Sequence, residues 1–204
     1  TMVLKPSPFT PISALILAEI AHKVGLPDGV LNVVTAPENA LGAALVDHPS
    51  VAKVSFTGST SVGQSIMRRC AQNMKSVTLE LGGKSPNIIL DDADLEAAVS
   101  GGVQNCFGNS GQSCNAPTRM LVPADRHDEA MAIARKAAEA AAEGVGDPTK
   151  EETVFGPLAH AGQYEKVQGL INKGLEEGAT LVAGGPGRPE GLDKGYFVRP
   201  TVFA

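Results

Sequence analysis

Strand-like and helix-like segments alternate along most of this 204-residue chain, and that alternation limits the folds open to it. In the first part of the chain, the predicted strands are residues 1–4, 30–34, 51–56 and 77–81. Between them the pattern predicts a helix that is capped by Thr10 with Pro11 at its first position, a helix over about 39–46, and a helix that ends near Ala71. Strands that alternate with helices at short spacing form parallel, doubly wound sheets.

The rest of the chain repeats the alternation with different spacing. The predicted strands there are residues 86–90 and 119–122, a short strand near Leu181, and residues 196–202. The predicted helices cover about 94–106, with Asp94 as the cap, about 128–143 and about 164–176. Paired glycines, Gly82 and Gly83, separate the two blocks. The sequence therefore predicts an α/β fold with two domains, residues 1–82 and 83–204.

Charge and hydropathy exclude several classes of partner. A net charge of −5, with Lys and Arg scattered, argues against a nucleic-acid or anionic-membrane surface. The apolar stretch at residues 12–20 is interrupted by Ser13 and Glu19 and is too short to span a bilayer. We therefore expect a protein that binds neither nucleic acid nor membrane.

Cysteine and histidine usage indicates a reducing compartment and no structural metal. The chain has three cysteines, an odd count, and none of them forms a C-x-x-C pair. Free thiols of this kind are typical of the cytoplasm, which is where we expect the protein. The four histidines are far apart and lack ligand spacing, so we expect no metal site.

One stretch, residues 106–114, combines small residues and amides with a cysteine at its end, Cys114. Gly108 and Gly111 let the backbone bend tightly, and a bent loop can aim N–H groups at the charge that a reacting thiolate produces. The alternative is that Cys114 is a small buried hydrophobic residue, as a lone cysteine usually is. Asn109, Gln112 and Asn115 are interpreted as residues that hold the loop by hydrogen bonds.

A second feature is the turn at residues 57–63, which lies between a predicted strand and a predicted helix. The positive end of that helix could bind a pyrophosphate, and an ordinary capped helix start is equally consistent with the pattern. Lys5 ends a strand and could bind ribose or phosphate, although most such lysines are only solvated.

Glu80 is the third feature, a carboxylate in a mostly apolar strand that ends at paired glycines. A carboxylate at a buried strand end can serve as a general base near neutral pH, because burial disfavours its charged form. The alternative is a structural carboxylate in a salt bridge. Because ligands of such sheets bind at the carboxyl ends of the strands, Lys5, Ser59 and Glu80 are expected at the same edge.

Taken together, these segments resemble the aldehyde dehydrogenase superfamily over the whole chain. The matching motifs are Val-Leu-Lys-Pro-Ser at 3–7, Phe-Thr-Gly-Ser-Thr at 56–60, Leu-Glu-Leu-Gly-Gly-Lys-Ser-Pro at 79–86, the cysteine stretch at 107–114, and Gly-Tyr-Phe-Val-Arg-Pro-Thr-Val at 195–202. The resemblance implies part of a doubly wound, parallel cofactor-binding sheet followed by part of an α/β catalytic domain. Residues 1–82 would be the C-terminal part of the NAD(P)-binding domain, and residues 83–204 the N-terminal part of the catalytic domain.

The resemblance also implies a mechanism in which an aldehyde is oxidised to a carboxylic acid with NAD or NADP as hydride acceptor. The Cys114 thiolate would attack the aldehyde to give a thiohemiacetal and then a thioester, and Glu80 would activate the water that hydrolyses it. The cofactor-binding residues implied by the resemblance are Lys5 at the adenosine ribose or its phosphate, Gly58 and Ser59 at the pyrophosphate, Val62 at the adenine side, and Leu81.

Two departures from the family pattern affect these expectations. Many NAD-preferring members have a glutamate three residues after the strand-end lysine, and Pro8 occupies that position here, so the preference between NAD and NADP stays open. The family's first nucleotide-binding units, with an oxyanion asparagine, would precede Thr1, and a second cofactor-binding glutamate and the assembly tail would follow Ala204. We therefore expect the central segment of a longer enzyme, which would form a homodimer or homotetramer.

Two other functions compete with this one. The 204 residues could exist as an inactive fragment or structural remnant of such an enzyme. A thiol hydrolase that uses Cys114 is the third reading, although no histidine lies near Cys114 in the sequence.

Overall fold

The computed structural model describes residues 1–37 and 39–204, which form two compact units, Thr1–Leu81 and Gly82–Ala204. The units meet in the sequence between Leu81 and Gly82, next to the paired glycines at which the sequence analysis divides the chain.

Strands and helices alternate among the described residues of the first unit. In order they are β1 (Met2–Leu4), α1 (Ile12–Lys23), β2 (Leu31–Val33), α2 (Ala40–Asp47), β3 (Lys53–Gly58), α3 (Thr60–Ala71) and β4 (Ser76–Leu81). β1 pairs with β2 and β3 pairs with β4, and both pairs are parallel. Each pair is a separate two-stranded sheet whose strands are joined through a helix. The predicted α/β class and parallel pairing are confirmed.

The core of the first unit lies between α2, α3 and the β3–β4 pair. Val46, Ile66 and Cys70 are buried there, and the sheet residues that pack against them are Val54, Phe56, Val77 and Leu79. Alternate residues of β3 and β4 face this core, which is the period that a strand with one covered face requires. The Arg69 guanidinium binds the Asp47 carboxylate, which ties α3 to α2 and lowers the pKa of the Asp47 carboxyl.

The second unit also mixes helices and strands. In order they are β5 (Pro86–Ile88), α4 (Leu95–Phe107), β6 (Arg119–Leu121), α5 (His127–Glu143), α6 (Ala161–Glu176), β7 (Leu181–Ala183) and β8 (Val202–Phe203). β5 and β6 are parallel, whereas β7 and β8 are antiparallel. α4 packs against α5 through Leu95, Val99 and Val103 on one helix and an alanine-rich stripe on the other.

Two local expectations were wrong. Thr10 does not cap α1, because Pro11 occupies the cap position with helical backbone angles and no side chain caps the first turn. The predicted strand at 196–202 keeps only Val202 in a ladder. Pro200 has no N–H to contribute to a ladder, and the segment is held instead by side-chain bonds such as the one from Arg199 Nε to the Arg188 carbonyl, at 2.9 Å.

Candidate active site

Cys114 lies in a turn that follows the end of α4, and its side chain is exposed to solvent. The turn is closed by the Ala116 N–H, which donates to the Ser113 carbonyl at 3.2 Å, and Ala116 itself is buried. The alternative that Cys114 is a buried hydrophobic residue is therefore wrong. An exposed free thiol on a loop is available for reaction.

The other two thiols are less accessible. Cys70 lies on α3 and is fully buried in the core of the first unit. Cys106 is half-buried near the end of α4, and burial raises the pKa of its thiol, an effect that the charge of Lys84 only partly offsets. Of the three thiols, Cys114 is the exposed one.

The loop that carries Cys114, here called the cysteine loop (residues 108–115), contains a left-handed turn. Asn109, Ser110 and Gly111 have φ values of 53°, 54° and 73° in succession. Glycine adopts this region freely and asparagine tolerates it, but for serine it costs on the order of 1 kcal/mol or more. Such a backbone persists only where surrounding bonds hold it.

Four side-chain hydrogen bonds hold the cysteine loop. Asn109 Nδ2 donates to the Gln112 carbonyl, and Gln112 Nε2 donates to the Asn109 carbonyl, both at 3.2 Å. Two further bonds leave the loop: Ser110 Oγ donates to the Gly156 carbonyl at 2.7 Å, and the Ala159 N–H donates to Gln112 Oε1 at 2.9 Å. The loop-holding role expected for Asn109 and Gln112 is confirmed. The bonds to Gly156 and Ala159 were not predicted, since nothing in the local sequence pattern links such distant residues.

Glu80 lies in β4, where it pairs across the sheet with Thr57, and its side chain is exposed. The expectation that this strand end is buried was wrong, because in this two-stranded sheet the side chains that alternate with Val77 and Leu79 face solvent. The alternative of a salt-bridged carboxylate is not seen either, since none of the ion pairs between described residues includes Glu80.

The β3–α3 turn begins a well-capped helix. Ser59 Oγ accepts from the Val62 N–H at 3.4 Å, and the Ser59 carbonyl accepts from the Gly63 N–H at 3.0 Å. A Cβ on Gly63 would lie 2.8 Å from Leu81 Cδ2, so this glycine lets α3 approach β4 closely. A Cβ on Gly58 would lie 2.4 Å from Phe56 Cζ, so a larger residue there would force the ring of Phe56 to move.

The remaining predicted cofactor residues lie at different places in the first unit. Gly58 and Leu81 face each other across the β3–β4 pair at its carboxyl end, and Val62 follows on the first turn of α3 with 45% of its surface exposed. Lys5 follows β1, and its ammonium group donates to the Pro6 carbonyl at 2.8 Å. The aliphatic part of Lys5 lies beside Gly42 of α2, where a Cβ would be 3.4 Å from Lys5 Cε.

Within residues 1–37 and 39–204, no cluster of His, Cys, Asp or Glu could hold a metal ion. No helix of that described part is long and apolar enough to cross a membrane.

Comparison with known proteins gives a consistent match. The model of the aldehyde dehydrogenase family matches residues 1–204. A 3-succinoylsemialdehyde-pyridine dehydrogenase of a Pseudomonas species is 53% identical over 204 residues, which are 100% of this chain and 42% of that protein.

Solved structures agree with the sequence match. A variant of aldehyde dehydrogenase C of Pseudomonas syringae, in complex with NAD+ and octanal, superposes with a TM-score of 0.96 at 49% identity, over 100% of this chain and 41% of its own. An NADP-dependent enzyme of E. coli superposes with a TM-score of 0.90 at 41% identity, over 100% of this chain and 41% of its own. The chain thus spans about two fifths of the length of the proteins it matches.

Proposed function

Because this chain belongs to the aldehyde dehydrogenase family, we propose that it carries the nucleophile and the general base of an NAD(P)-dependent oxidation of an aldehyde to a carboxylic acid. The observation that carries the proposal is the exposed thiol of Cys114 at the end of a left-handed turn. Uncommon backbone geometry of this kind is concentrated at functional sites.

The thiol of Cys114 is the proposed nucleophile. Its thiolate attacks the carbonyl carbon of the aldehyde and forms an S–C bond, while the carbonyl oxygen becomes an oxyanion that accepts from the Cys114 N–H. Loss of a hydride from the former aldehyde carbon would leave a thioester on Cys114, and NAD or NADP, when bound, would supply the hydride acceptor.

Glu80 is the proposed general base for hydrolysis of that thioester. Its carboxylate takes a proton from water, the water oxygen attacks the thioester carbon, and the C–S bond breaks to release the acid and the Cys114 thiolate. Because Glu80 is exposed, burial does not support this role, and the assignment rests on its place in the family-like motif at residues 79–86.

The residues of the β3–α3 turn fit a pyrophosphate group. The first N–H groups of a helix lack partners within the helix, and the positive end of the helix dipole favours an anion. α3 is a 12-residue helix that begins directly after Ser59, and the strand before it ends at Gly58. The proposed cofactor contacts are Gly58 and Ser59 at the pyrophosphate, Val62 at the adenine side, Lys5 at the adenosine ribose or its phosphate, and Leu81.

The proposed cofactor is NAD or NADP, with neither preferred. Pro8 has no carboxylate that could bind the ribose hydroxyls or repel a 2′-phosphate. Solved relatives include one in complex with NAD+ and one that is NADP-dependent, and both superpose over the whole chain. Because one relative binds octanal, an aliphatic aldehyde of that kind is the first substrate to test. We further propose that the active enzyme is a homodimer or homotetramer, and that it works in the cytoplasm, where thiols stay reduced.

A second possibility is that the 204 residues alone are inactive. Two observations favour it: the chain spans about two fifths of its relatives, and none of the residues of α1, all of them described, is buried. Under this reading the mechanism belongs to a longer polypeptide that carries the chain. Saturable NAD(P) binding and steady turnover by a chain with a verified mass near 21.0 kDa would exclude it.

Replacement of the proposed nucleophile tests the central assignment. In the polypeptide that carries this chain, we expect Cys114→Ser to abolish NAD(P)H formation from octanal, because a serine hydroxyl is far less nucleophilic than a thiolate. The matched control is Cys106→Ser, which removes a half-buried thiol of the same segment and should retain most of the activity. Unchanged turnover in Cys114→Ser, measured from nicotinamide absorbance, would refute the assignment.

A further inference from the structure

A segment far from Cys114 in the sequence binds back to the cysteine loop. This anchor segment (residues 156–160) accepts from Ser110 Oγ through the Gly156 carbonyl, at 2.7 Å, and donates to Gln112 Oε1 through the Ala159 N–H, at 2.9 Å. The two bonds span 46 and 47 residues of sequence. We infer that the anchor segment fixes the orientation of the Cys114 thiol and that Ser110 and Gln112 are the positioning residues through which it acts.

The cysteine loop needs support from outside because its own conformation is unfavourable. Three successive residues have left-handed backbone angles, and serine is the least suited of them to that region. The bonds within the loop join Asn109 to Gln112 in both directions, and a relaxed loop could lose them together. Gln112 takes part in the bonds inside the loop and in one bond to the anchor, and it lies two residues before Cys114. A displacement of Gln112 would therefore displace the thiol.

The anchor segment is itself fixed to the rest of the second unit. Leu158 is buried, with 3% of its surface exposed, and its N–H donates to the Tyr196 carbonyl at 3.0 Å. Next to Tyr196, Phe197 is buried, and the Gly195 carbonyl accepts from Arg188 Nε at 3.0 Å. Residues 195–202 form the family-like motif to which the mechanism assigns no chemistry. These contacts indicate a role for the start of that motif: it fixes the anchor segment, and the anchor segment in turn fixes the cysteine loop.

The catalytic meaning of this inference rests on the proposed function, since an orientation matters only if Cys114 is the nucleophile. Small errors in the placement of a reacting atom reduce rates strongly, so a fixed loop would favour productive attack. The anchoring itself can be measured without aldehyde or nicotinamide. Failure of the anchor and failure of the proposed function are therefore distinguishable.

The test uses three variants of the 204-residue chain. Gln112→Ala removes both side-chain bonds of Gln112, whereas Gln112→Glu keeps an oxygen that can accept from the Ala159 N–H. Gln104→Ala is the matched control, because it removes an exposed glutamine from α4, which leads into the loop. Two quantities are measured in each variant: hydrogen exchange at the Ala159 amide, and the rate at which iodoacetamide alkylates Cys114, read from the cysteine-containing peptides by mass spectrometry.

We expect Gln112→Ala to speed exchange at Ala159 about tenfold or more and to raise the alkylation rate of Cys114 about threefold or more, because a released loop exposes the thiol to reagent from more directions. Gln112→Glu should keep slow exchange at Ala159, and Gln104→Ala should match the parent in both measurements. Equal rates in Gln112→Ala and Gln104→Ala would overturn the inference.

Unfolding of the second unit would also raise the alkylation rate of Cys114, as release of the loop does. The alkylation rate of Cys106 distinguishes the two events. Cys106 is half-buried near the end of α4 in the same unit, so opening of that helix raises its alkylation rate. If Gln112→Ala raises the alkylation rate of Cys106 as well as that of Cys114, the test is repeated with Ser110→Ala. That change removes only the hydroxyl group that is bonded to Gly156. Faster alkylation of Cys114 alone in Ser110→Ala supports the anchor, and an unchanged rate at Cys114 overturns it.

Discussion

At the scale of single residues, two thiols of one segment have different environments. Cys114 is exposed, whereas burial of Cys106 raises the pKa of its thiol. The folded unit therefore holds the Cys106 proton more tightly than the unfolded chain does. This contribution to stability is fully present below the unfolded pKa of a thiol, about 8.5, and is lost as the pH rises through the higher folded value.

A pH dependence of stability follows from Cys106. Between about pH 8 and about pH 10, we expect the free energy of unfolding of the second unit to fall more steeply in the parent than in Cys106→Ala, which has no thiol to titrate at that position. Urea unfolding at several pH values measures this difference. Identical slopes in parent and variant would contradict the assigned effect of burial.

The residues of the candidate site were predictable from their types and spacing to a limited extent. A cysteine among glycines and amides indicated Cys114, and the exposed thiol agrees with a reactive role. The exposure of Glu80 was not predictable, because it depends on which strands and helices cover that end of the sheet. The bonds from Ser110 and Gln112 to the anchor segment depend on tertiary contacts, and no local pattern encodes those.

At the scale of elements, α4 contains adjacent glycines with opposite surroundings. A Cβ on Gly102 would lie 2.1 Å from Asn87 Nδ2 and 2.8 Å from Met120 Cε, so this glycine lets the helix pack onto β5 and β6. A Cβ on Gly101 would meet nothing within 4 Å. Variants at the two positions therefore distinguish the effect of close packing on stability from the general effect of a glycine in a helix.

Alanine at these two positions should stabilise the second unit to different degrees. Gly101→Ala should raise the free energy of unfolding by about 0.5–1 kcal/mol, because alanine loses less conformational entropy on folding. Gly102→Ala should raise it less, because the added methyl group forces the side-chain ends of Asn87 and Met120 to move. Urea midpoints of the two variants measure the difference, and equal midpoints would contradict the close packing.

Most elements were predictable because their signals are local. The alternation of strand-like and helix-like segments at short spacing predicted them, and Asp94 caps α4 as expected. The end of the chain was harder, since the apolar run at 196–202 is typical of a strand while its contacts are mostly those of an irregular segment. There Gly184 approaches the Pro200 carbonyl so closely that a Cβ would lie 2.2 Å from its oxygen.

At the scale of the whole molecule, the first unit exposes a large apolar surface. Among the large apolar residues of α1, Ile12 is 68% exposed and Ile20 is 50% exposed. The others are Leu15, Ile16 and Leu17. Contiguous apolar patches of this kind are rare on isolated soluble proteins and mark surfaces that bind other protein.

This surface predicts that the isolated 204-residue chain binds a fluorescent apolar dye while folded. We expect Ile16→Lys to lower the dye fluorescence about twofold or more, because a charge within the patch interrupts it. Met67→Lys on α3 is the control, since it removes a single exposed apolar residue outside α1. Equal fluorescence in the two variants, with unchanged helix content by circular dichroism, would contradict the assignment of the patch to α1.

The most direct test of the account is to look for the acyl group that the mechanism places on Cys114. In the polypeptide that carries this chain, Glu80→Gln should leave thioester formation intact and slow its hydrolysis about a hundredfold or more, because the amide cannot take a proton from water. After incubation with octanal and NAD+ or NADP+ and an acid quench, mass spectrometry of the peptides should find the octanoyl group on Cys114. An octanoyl group on Cys106, or continued turnover without any acyl group on Cys114, would contradict the account.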